Sequence, residues 1–427
     1  MNKLKIGVLL KDYKKQEGGA YSYYNALVEG IESYKFHEDL EFVFIVIGNS
    51  IDPSTPKNSY LFDQEKLVRE KHGLFYFLNR FVKTKVINYL PISAKIQASY
   101  QKKSWECIRE QLIEKEIDIV YSLTPFYSDI DYPTVITHWD IGHKSTYTLP
   151  ETIYNYEFES RNAYYKDILP KAFAVLCESE AGKRELCHYE NVNPQRVHVI
   201  PMFPGTIVDL KLNKEEEKSI LKKFDVSEKD FFIYPAQFWP HKNHYNLLIS
   251  FKNFINKYPG VKLILSGSDK GNLNYIKSVV QELNLQDNVL FPGFISDEEL
   301  YTFYRNAISL VMPSLMGPTN MPPIEAHSLG CRIICSDFPG HRESLGDDAI
   351  YIDPLDRAAI FMAMEKCYLE RYTHLPGSTD HATVEDALVE INKTFLSLSS
   401  IRKTFPLNPG TFKVFMAAWI FSTTFML

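Results

Sequence analysis

The segment of this chain richest in chemistry runs from Pro313 to Ala326, P-S-L-M-G-P-T-N-M-P-P-I-E-A. A strand-like run at 308–312 feeds a loop. Pro322-Pro323 then pre-sets φ for a first helical turn, and Gly330 stops the helix. Backbone N–H groups of the loop and first turn, at Thr319, Asn320 and Met321, can hold a diphosphate at the positive end of the helix dipole. Glu325 is expected in the first turn, where its carboxylate could accept both hydroxyls of a ribose. A Glu simply favoured near a helix start is the alternative.

Lys242 lies in F-W-P-H-K-N-H, just before a second helical pattern, and can reach the same phosphates as a point charge. Pro240 and an Asn243 N-cap would fix that loop. A solvated surface lysine is the alternative. Gly267, Asp269 and Lys270 sit in a turn after the run 261–266, where glycine lets backbone approach a nucleotide. A plain turn explains that stretch equally. His138 and Asp140 follow the run 134–137 in T-H-W-D-I-G-H. His138, Asp140 and His143 could ligate a metal, but no further ligand cluster accompanies them and no metal site is assigned. Asp129-Ile130-Asp131 matches D-x-D, which can bind a divalent ion on a diphosphate; its Tyr/Ser/Pro-rich surroundings read as a polar loop.

The elements that must position these groups alternate. Apolar runs at 5–10, 42–47, 117–122, 134–137, 174–177 and 198–201 interleave with helical patterns. A second series follows at 231–235, 261–266, 288–291, 308–312 and 332–336. Buried strands between helices imply α/β architecture with parallel sheets covered on both faces. Two such sequences predict two doubly wound Rossmann-like domains facing across a cleft, with ligands beyond the carboxyl ends of the strands. The expected division is 1–205 as the acceptor-binding domain, 206–229 as a charge-rich linker and 230–371 as the nucleotide-sugar-binding domain. A tail at 372–427 reads as helical near 384–395. The first helix carries Tyr24, Leu27, Val28 and Ile31 on one face; the helix after Lys242 carries Leu247, Leu248, Phe251, Phe254 and Ile255.

The 427 residues suit two large domains, and 45% apolar content excludes a disordered or fibrous chain. A net charge of −6 argues against a dedicated nucleic-acid binder. The six cysteines form no C-x-x-C pair, which suggests reduced thiols in a cytosolic setting. The short run 6–10 fits a strand rather than a signal peptide, and no run reaches the ~20 apolar residues of a membrane span. The stretch 79–104 carries Arg80, Lys83, Lys85, Lys95, Lys102 and Lys103, interleaved with apolar residues and no acid. It could lie on an anionic membrane surface, or be an ordinary amphipathic helix with a solvated basic face.

From residue 5 to about 367 the chain resembles the GT-B glycosyltransferases, and most of all glycosyltransferase family 4. The resemblance rests on an ordered series. Gly18-Gly19 follows the first strand; then come His138 and Asp140, Cys177-Glu178-Ser179-Glu180 and R-V-H-V-I-P at 196–201. Lys242, the segment 313–326, Pro339-Gly340-His341-Arg342-Glu343 and Y-I-D-P at 351–354 complete it. It implies a retaining hexosyltransferase, mannosyltransferase-like, that uses a nucleotide-diphosphate sugar and no resident cofactor. The acceptor would be a glycan or lipid-linked glycan of a bacterial surface polysaccharide. The location would be cytoplasmic, or peripheral on the inner membrane face. His138, Lys242 and Glu325 take the catalytic positions. Gly18, Gly19, Gln237, Gly267, Asp269, Lys270, Thr319, Asn320 and Met321 join Lys242 and Glu325 around the donor. Asp140 and Glu180 fall on the acceptor side. The family's E-x(7)-E motif keeps only its second Glu here, since Gly317 occupies the first position, and Gln237 replaces an Arg that helps hold the diphosphate. The donor-sugar contact must then come from elsewhere, with Thr319, Asn320 or backbone N–H groups as candidates. Other readings are a binding or scaffold protein of this fold that has lost its chemistry, and a nucleotide-sugar epimerase or a phosphorylase, whose acid/base carboxylates or pyridoxal-bearing lysine are not evident.

Overall fold

The computed structural model describes residues 3–11, 18–48, 50, 55–84, 91–125, 130–373 and 375–402. Among them, strands β1 (Leu4–Leu10), β2 (Leu40–Ile47), β3 (Ser59–Phe62), β4 (Ile119–Ser122), β5 (Thr134–His138), β6 (Ala174–Cys177) and β7 (Val197–Val199) form a seven-stranded sheet in the order β3-β2-β1-β4-β5-β6-β7. Strands β8 (Phe231–Pro235), β9 (Lys262–Ser266), β10 (Val289–Gly293), β11 (Leu310–Met312), β12 (Ile333–Ser336) and β13 (Ile350–Ile352) form a six-stranded sheet in the order β10-β9-β8-β11-β12-β13. Every pairing is parallel. Central strands are apolar on both faces, as β4 and β6 show by being buried along their whole length, because helices cover both sides. This is the GT-B architecture. The strand order reverses beside β1 in one sheet and beside β8 in the other, which opens a crevice at the carboxyl ends of both.

Two edge strands escape the sequence pattern. β3 and β13 each pair with one neighbour only, and at four and three residues they are too short and too half-exposed to stand out as buried strands. The helix Gly19–Ser33 buries Tyr23, Tyr24, Ala26, Leu27 and Ile31, so its inward face includes Tyr23, while Val28 packs at the margin. Tyr23 stacks on Phe203 with ring centroids 5.1 Å apart.

The helix Lys214–Lys223, in the segment expected to link the domains, packs on the second one. Glu217 accepts hydrogen bonds from Arg305 and Asn306, and Leu221 and Val226 join the second core. Farther on, the helix Val384–Arg402 is longer than the sequence suggests. It returns to the first domain and buries Ala387, Leu388, Ile391, Phe395 and Leu398 in that core. Residues 403–427 and Asp129 lie outside the described residues; Asp131 pairs with Arg109 at 2.8 Å. Lys85 also lies outside them. Each of the six cysteines is free. No described helix is long and apolar enough to cross a membrane.

Candidate active site

The loop after β11 is held by its own chain. Leu315 N–H donates to the His241 carbonyl at 2.7 Å, and Ser336 Oγ donates to the Ser314 carbonyl at 2.6 Å. Gly317 takes φ +112°, a conformation that residues with a Cβ rarely adopt. At Gly340 a Cβ would lie 1.8 Å from the Pro318 carbonyl oxygen, so only glycine lets the helix Pro339–Leu345 abut this loop. Thr319 and Asn320 then lead into the helix Met321–Ser328. Pro322 and Pro323 bring no N–H, so Asn320 and Met321 supply the outward backbone donors of this helix start.

Asn320 does not cap that helix with its side chain. Its Oδ1 accepts from Lys242 Nζ at 3.1 Å, and its Nδ2 faces His341 Nε2 at 3.0 Å. His341 Nδ1 lies 2.7 Å from the Ser336 carbonyl, which can only accept. The proton therefore sits on Nδ1, and Nε2 accepts from the Asn320 amide. Burial lowers the His341 pKa to about 4, which keeps the ring neutral in this role.

Lys242 ends the short turn Pro240–Lys242, whose backbone is pinned by Tyr234 Oη donating to the Lys242 carbonyl at 3.0 Å. Burial lowers its pKa to about 8, against the opposing fields of Asp140 and Glu151. The expected Asn243 cap is absent. Asn243 adopts φ +58° and turns its Nδ2 to the Pro313 and Pro354 carbonyls, tying the Lys242 turn to the loop after β11.

Across the crevice, His138 ends β5 and is 1% exposed. Tyr165 Oη donates to the Asp140 carbonyl at 2.5 Å and lies 3.1 Å from His138 Nδ1. With its one proton committed there, the tyrosine accepts from Nδ1–H. His138 Nε2 is then a buried acceptor without a partner. Burial lowers the ring pKa to about 4. Asp140 accepts from Arg161 at 2.6 Å and from Gly142 N–H at 2.9 Å. Burial opposes its ionisation, but the Arg161 charge and these hydrogen bonds win, and its pKa is lowered. Among the described residues no three His, Cys, Asp or Glu side chains gather as metal ligands. His143 instead stacks on Tyr165 at 5.3 Å.

The two domains meet directly at this crevice. A Cβ on Gly19 would touch the Met321 side chain at 3.7 Å, and Met321 is counted in the first domain's core. Gly18, at φ +64°, turns the chain into the helix Gly19–Ser33. Thr319 Oγ1 donates to Glu178 Oε1 at 3.1 Å. Glu343 accepts the backbone N–H groups of Glu180 at 2.7 Å and Ala181 at 2.9 Å. Glu151 accepts from His241 N–H at 2.8 Å and sits 2.8 Å from its Nδ1.

Six sequence candidates, Glu325, Glu180, Gln237, Lys270, Asp269 and Gly267, have surroundings the sequence did not specify. Glu325 lies in the second turn, not the first as expected, because the helix already starts at Met321, ahead of Pro322. Its carboxyl is buried, accepts from Tyr304 Oη at 3.2 Å and from Gly205 N–H, and burial raises its pKa to about 7. Glu180 is exposed at a helix start, and the carboxyl that reaches the second domain is that of Glu178, two residues earlier and just past the end of β6. Gln237 Oε1 accepts from the Trp239 indole at 3.0 Å, while Lys270 lies over the Trp239 ring. Asp269 is spent on its own turn, accepting from Gly271 and Leu273 N–H, and Gly267 lies where a Cβ would meet the Ala236 carbonyl at 2.3 Å. Sequence reasoning missed Arg161, Tyr165 and Glu151, and it named Glu178, His341 and Glu343 only as residues of the resemblance, with no role assigned. For Glu178 a signal existed: Ser179 reads as an N-cap, which puts Glu180 on the helix and Glu178 at the strand end.

Residues 214–374 match the family model described as glycosyl transferases group 1. The chain is 28% identical to the O-antigen chain mannosyltransferase RfbU of Salmonella typhimurium over 182 residues, 43% of this chain and 47% of that protein. It is 26% identical to O-antigen chain mannosyltransferase B of Escherichia coli over 234 residues, 53% of this chain and 58% of that one. It thus spans about half the length of the curated relatives it matches. The crystal structure of Anabaena Alr3699/HepE in complex with UDP-glucose superposes with a TM-score of 0.60 at 17% identity, covering 93% of this chain and 99% of that one. Residues 214–374 therefore belong to the group 1 glycosyl transferases, and the chain that carries them has the GT-B fold.

Proposed function

We propose that the chain is a retaining glycosyltransferase that moves a hexose, with mannose the first choice, from a nucleotide-diphosphate sugar to a glycan acceptor of a bacterial surface polysaccharide. The observation that carries this reading is the Lys242 ammonium held against Asn320 at a helix start, in a crevice between two sheets. The mannose preference follows the names of the two relatives, and the nucleotide-sugar donor agrees with the ligand named for the Anabaena structure.

In this mechanism the C1–O bond to the β-phosphate breaks. Negative charge grows on the diphosphate and is met by Lys242 and by the N–H groups of Asn320 and Met321. The acceptor hydroxyl attacks C1 from the face the phosphate leaves, and its proton passes to a phosphate oxygen. His138 Nε2, an acceptor with no protein donor, takes a sugar hydroxyl and fixes the ring. Asp140, oriented by Arg161, adds negative charge near the forming oxocarbenium. Charge compensation is assigned to Lys242 and not to a metal, so EDTA should leave turnover unchanged.

Thermal shift with GDP-mannose, UDP-glucose and related donors, followed by a turnover assay, tests the reading. Binding with neither transfer nor hydrolysis would favour a binding or scaffold role. The membrane part of the proposal rests on the helix Gly73–Thr84, which exposes Leu74, Phe77, Leu78 and Arg80 and packs on the helix Pro91–Glu114, where Lys102 is also exposed. Such a face suits an anionic leaflet carrying a lipid-linked acceptor. Unchanged sedimentation with phosphatidylglycerol vesicles after joint Phe77→Ser, Arg80→Glu and Lys102→Glu changes would remove it.

A further inference from the structure

Glu178 presents an unusual combination. It is 6% exposed, its Oε1 accepts the Thr319 hydroxyl of the other domain at 3.1 Å, and its Oε2 has no hydrogen-bond partner. Thr319 adjoins Asn320, the residue that holds Lys242. The orphaned oxygen is buried at the seam between the domains, on a carboxyl that contacts the residue next to Asn320 and so borders the crevice assigned to the diphosphate sugar. A buried carboxyl oxygen left unpaired destabilises a fold by the desolvation of that group, and nothing in the packing of this seam requires an acid there.

The same loop explains why an acid from elsewhere is useful. At Gly317 the backbone runs at φ +112°, where a side chain is strained, so the loop carries no carboxylate of its own facing the pocket. Residue 178 reaches the loop from the position directly after the carboxyl end of β6, whose strand is buried along its whole length.

We propose that Glu178 is a specificity-determining residue of the donor site: its unpaired oxygen, delivered from the first domain, hydrogen-bonds a hydroxyl of the transferred sugar. The inference rests on the transferase reading above. The charge state fits the task. Burial holds the Glu178 carboxyl well above the usual range; its own backbone N–H and the Thr319 hydroxyl oppose this, and Asp140 and Glu185 reinforce it. Tyr23, packed beside it, is held neutral, chiefly by burial. A neutral carboxylic acid can stand next to a diphosphate without repelling it, and its Oε2–H can donate to a sugar oxygen while Oε1 stays with Thr319.

The test uses the full chain and compares GDP-mannose and UDP-glucose with GDP and UDP. Glu178→Ala should lower kcat/KM for the accepted sugar donor about tenfold or more, while affinity for the matching free nucleotide changes less than about twofold. Glu178→Gln, which keeps a neutral donor and an acceptor, should recover activity to within about threefold of the parent. Glu178→Ala also removes the hydrogen bond from Thr319 and should melt slightly below the parent protein, whereas Glu178→Gln keeps that acceptor and should not. Unchanged kcat/KM in Glu178→Ala overturns the proposal. So does an equal loss for free nucleotide and sugar nucleotide, or a lowered melting point without rescue by Gln, since each marks a role in domain packing alone. If the parent protein neither binds nor turns over any donor, the transferase reading falls and this inference falls with it.

Discussion

Lys242 Nζ donates to Asn320 Oδ1 at 3.1 Å, and the same amide leans on neutral His341 through its Nδ2. This chain fixes a cation at a helix start through an amide contact rather than an ion pair, with the Asp140 and Glu151 carboxylates acting on it only through their fields. An unneutralised, partly desolvated cation is what an incoming diphosphate needs. Lys242→Ala should weaken GDP or UDP binding by about 1.5–3 kcal/mol, the range for hydrogen bonds to charged groups. The lysine pKa is lowered to about 8, so the cation is complete below that value and lost as pH rises through it. Calorimetric affinity should therefore fall across that value in the parent protein, and Lys242→Arg, charged throughout, should lose the pH dependence. A flat profile in the parent would remove Lys242 from the site.

His341 is the remote member of that chain. His341→Ala deletes the acceptor behind Asn320 Nδ2 and should free the amide to rotate. The expected result is weaker nucleotide binding by about 1 kcal/mol, with His341→Asn recovering part of it. Equal affinity in His341→Ala and the parent would show that Asn320 holds its place by other means.

Gly317 stands where the resemblance has a Glu, and the structure gives a backbone reason. At φ +112° a Cβ is strained, and it would lie 3.1 Å from Asn320 Nδ2. Gly317→Glu should not restore a family-like activity. It should destabilise the protein by about 1–2 kcal/mol and loosen the Lys242–Asn320 contact. A thermal melt and a donor assay check both; a gain in turnover would mean that this loop moves freely to another conformation.

The strand alternation, the two domains' layering and the cluster around Lys242 and Asn320 were legible because each depends on local pattern. Continuous apolar runs such as β4 and β6 and the Pro-Pro helix start carry their own signals. Edge strands β3 and β13 did not, since their pairing partner supplies the order and their residues are half exposed. Site details that depend on contacts between domains were out of reach. Nothing local to Glu178 points to Thr319, 141 positions away, and nothing local to Glu325 points to Tyr304 and Gly205. Asn243 misled because its residue type suits an N-cap, while the left-handed backbone there sends the amide to two carbonyls instead.

Glu325 offers a separable pH signature. Burial raises its pKa to about 7, well above the ordinary carboxyl value, so the native state holds a proton that the unfolded chain releases at lower pH. The stabilisation from that group is complete below the unfolded value and is lost as pH rises through about 7. Glu325→Gln stays neutral throughout. The stability of the parent relative to this variant should therefore decline between about pH 5 and pH 8, by roughly 2–3 kcal/mol. Paired urea unfolding at the two pH values measures it, and a constant difference would show that Glu325 is ionised in the folded protein at both.

Glu343 closes the seam from the other side. Its two oxygens accept the first backbone N–H groups of the helix Glu180–Tyr189, whose N-terminal dipole favours a negative charge. The carboxylate is exposed, so solvent screens it, and its contribution to closure should be modest, about 0.5–1 kcal/mol. That is enough to shift a domain equilibrium severalfold. Glu343→Ala should raise hydrogen exchange at the Glu180 and Ala181 amides and increase the radius of gyration in scattering, with a larger effect on KM than on kcat. Glu343→Gln, which keeps an acceptor but not the charge, should fall between the two. If exchange at both amides is unchanged in Glu343→Ala, the contact does not hold the domains together in solution, and the Glu178–Thr319 and Glu151–His241 contacts must carry closure without it.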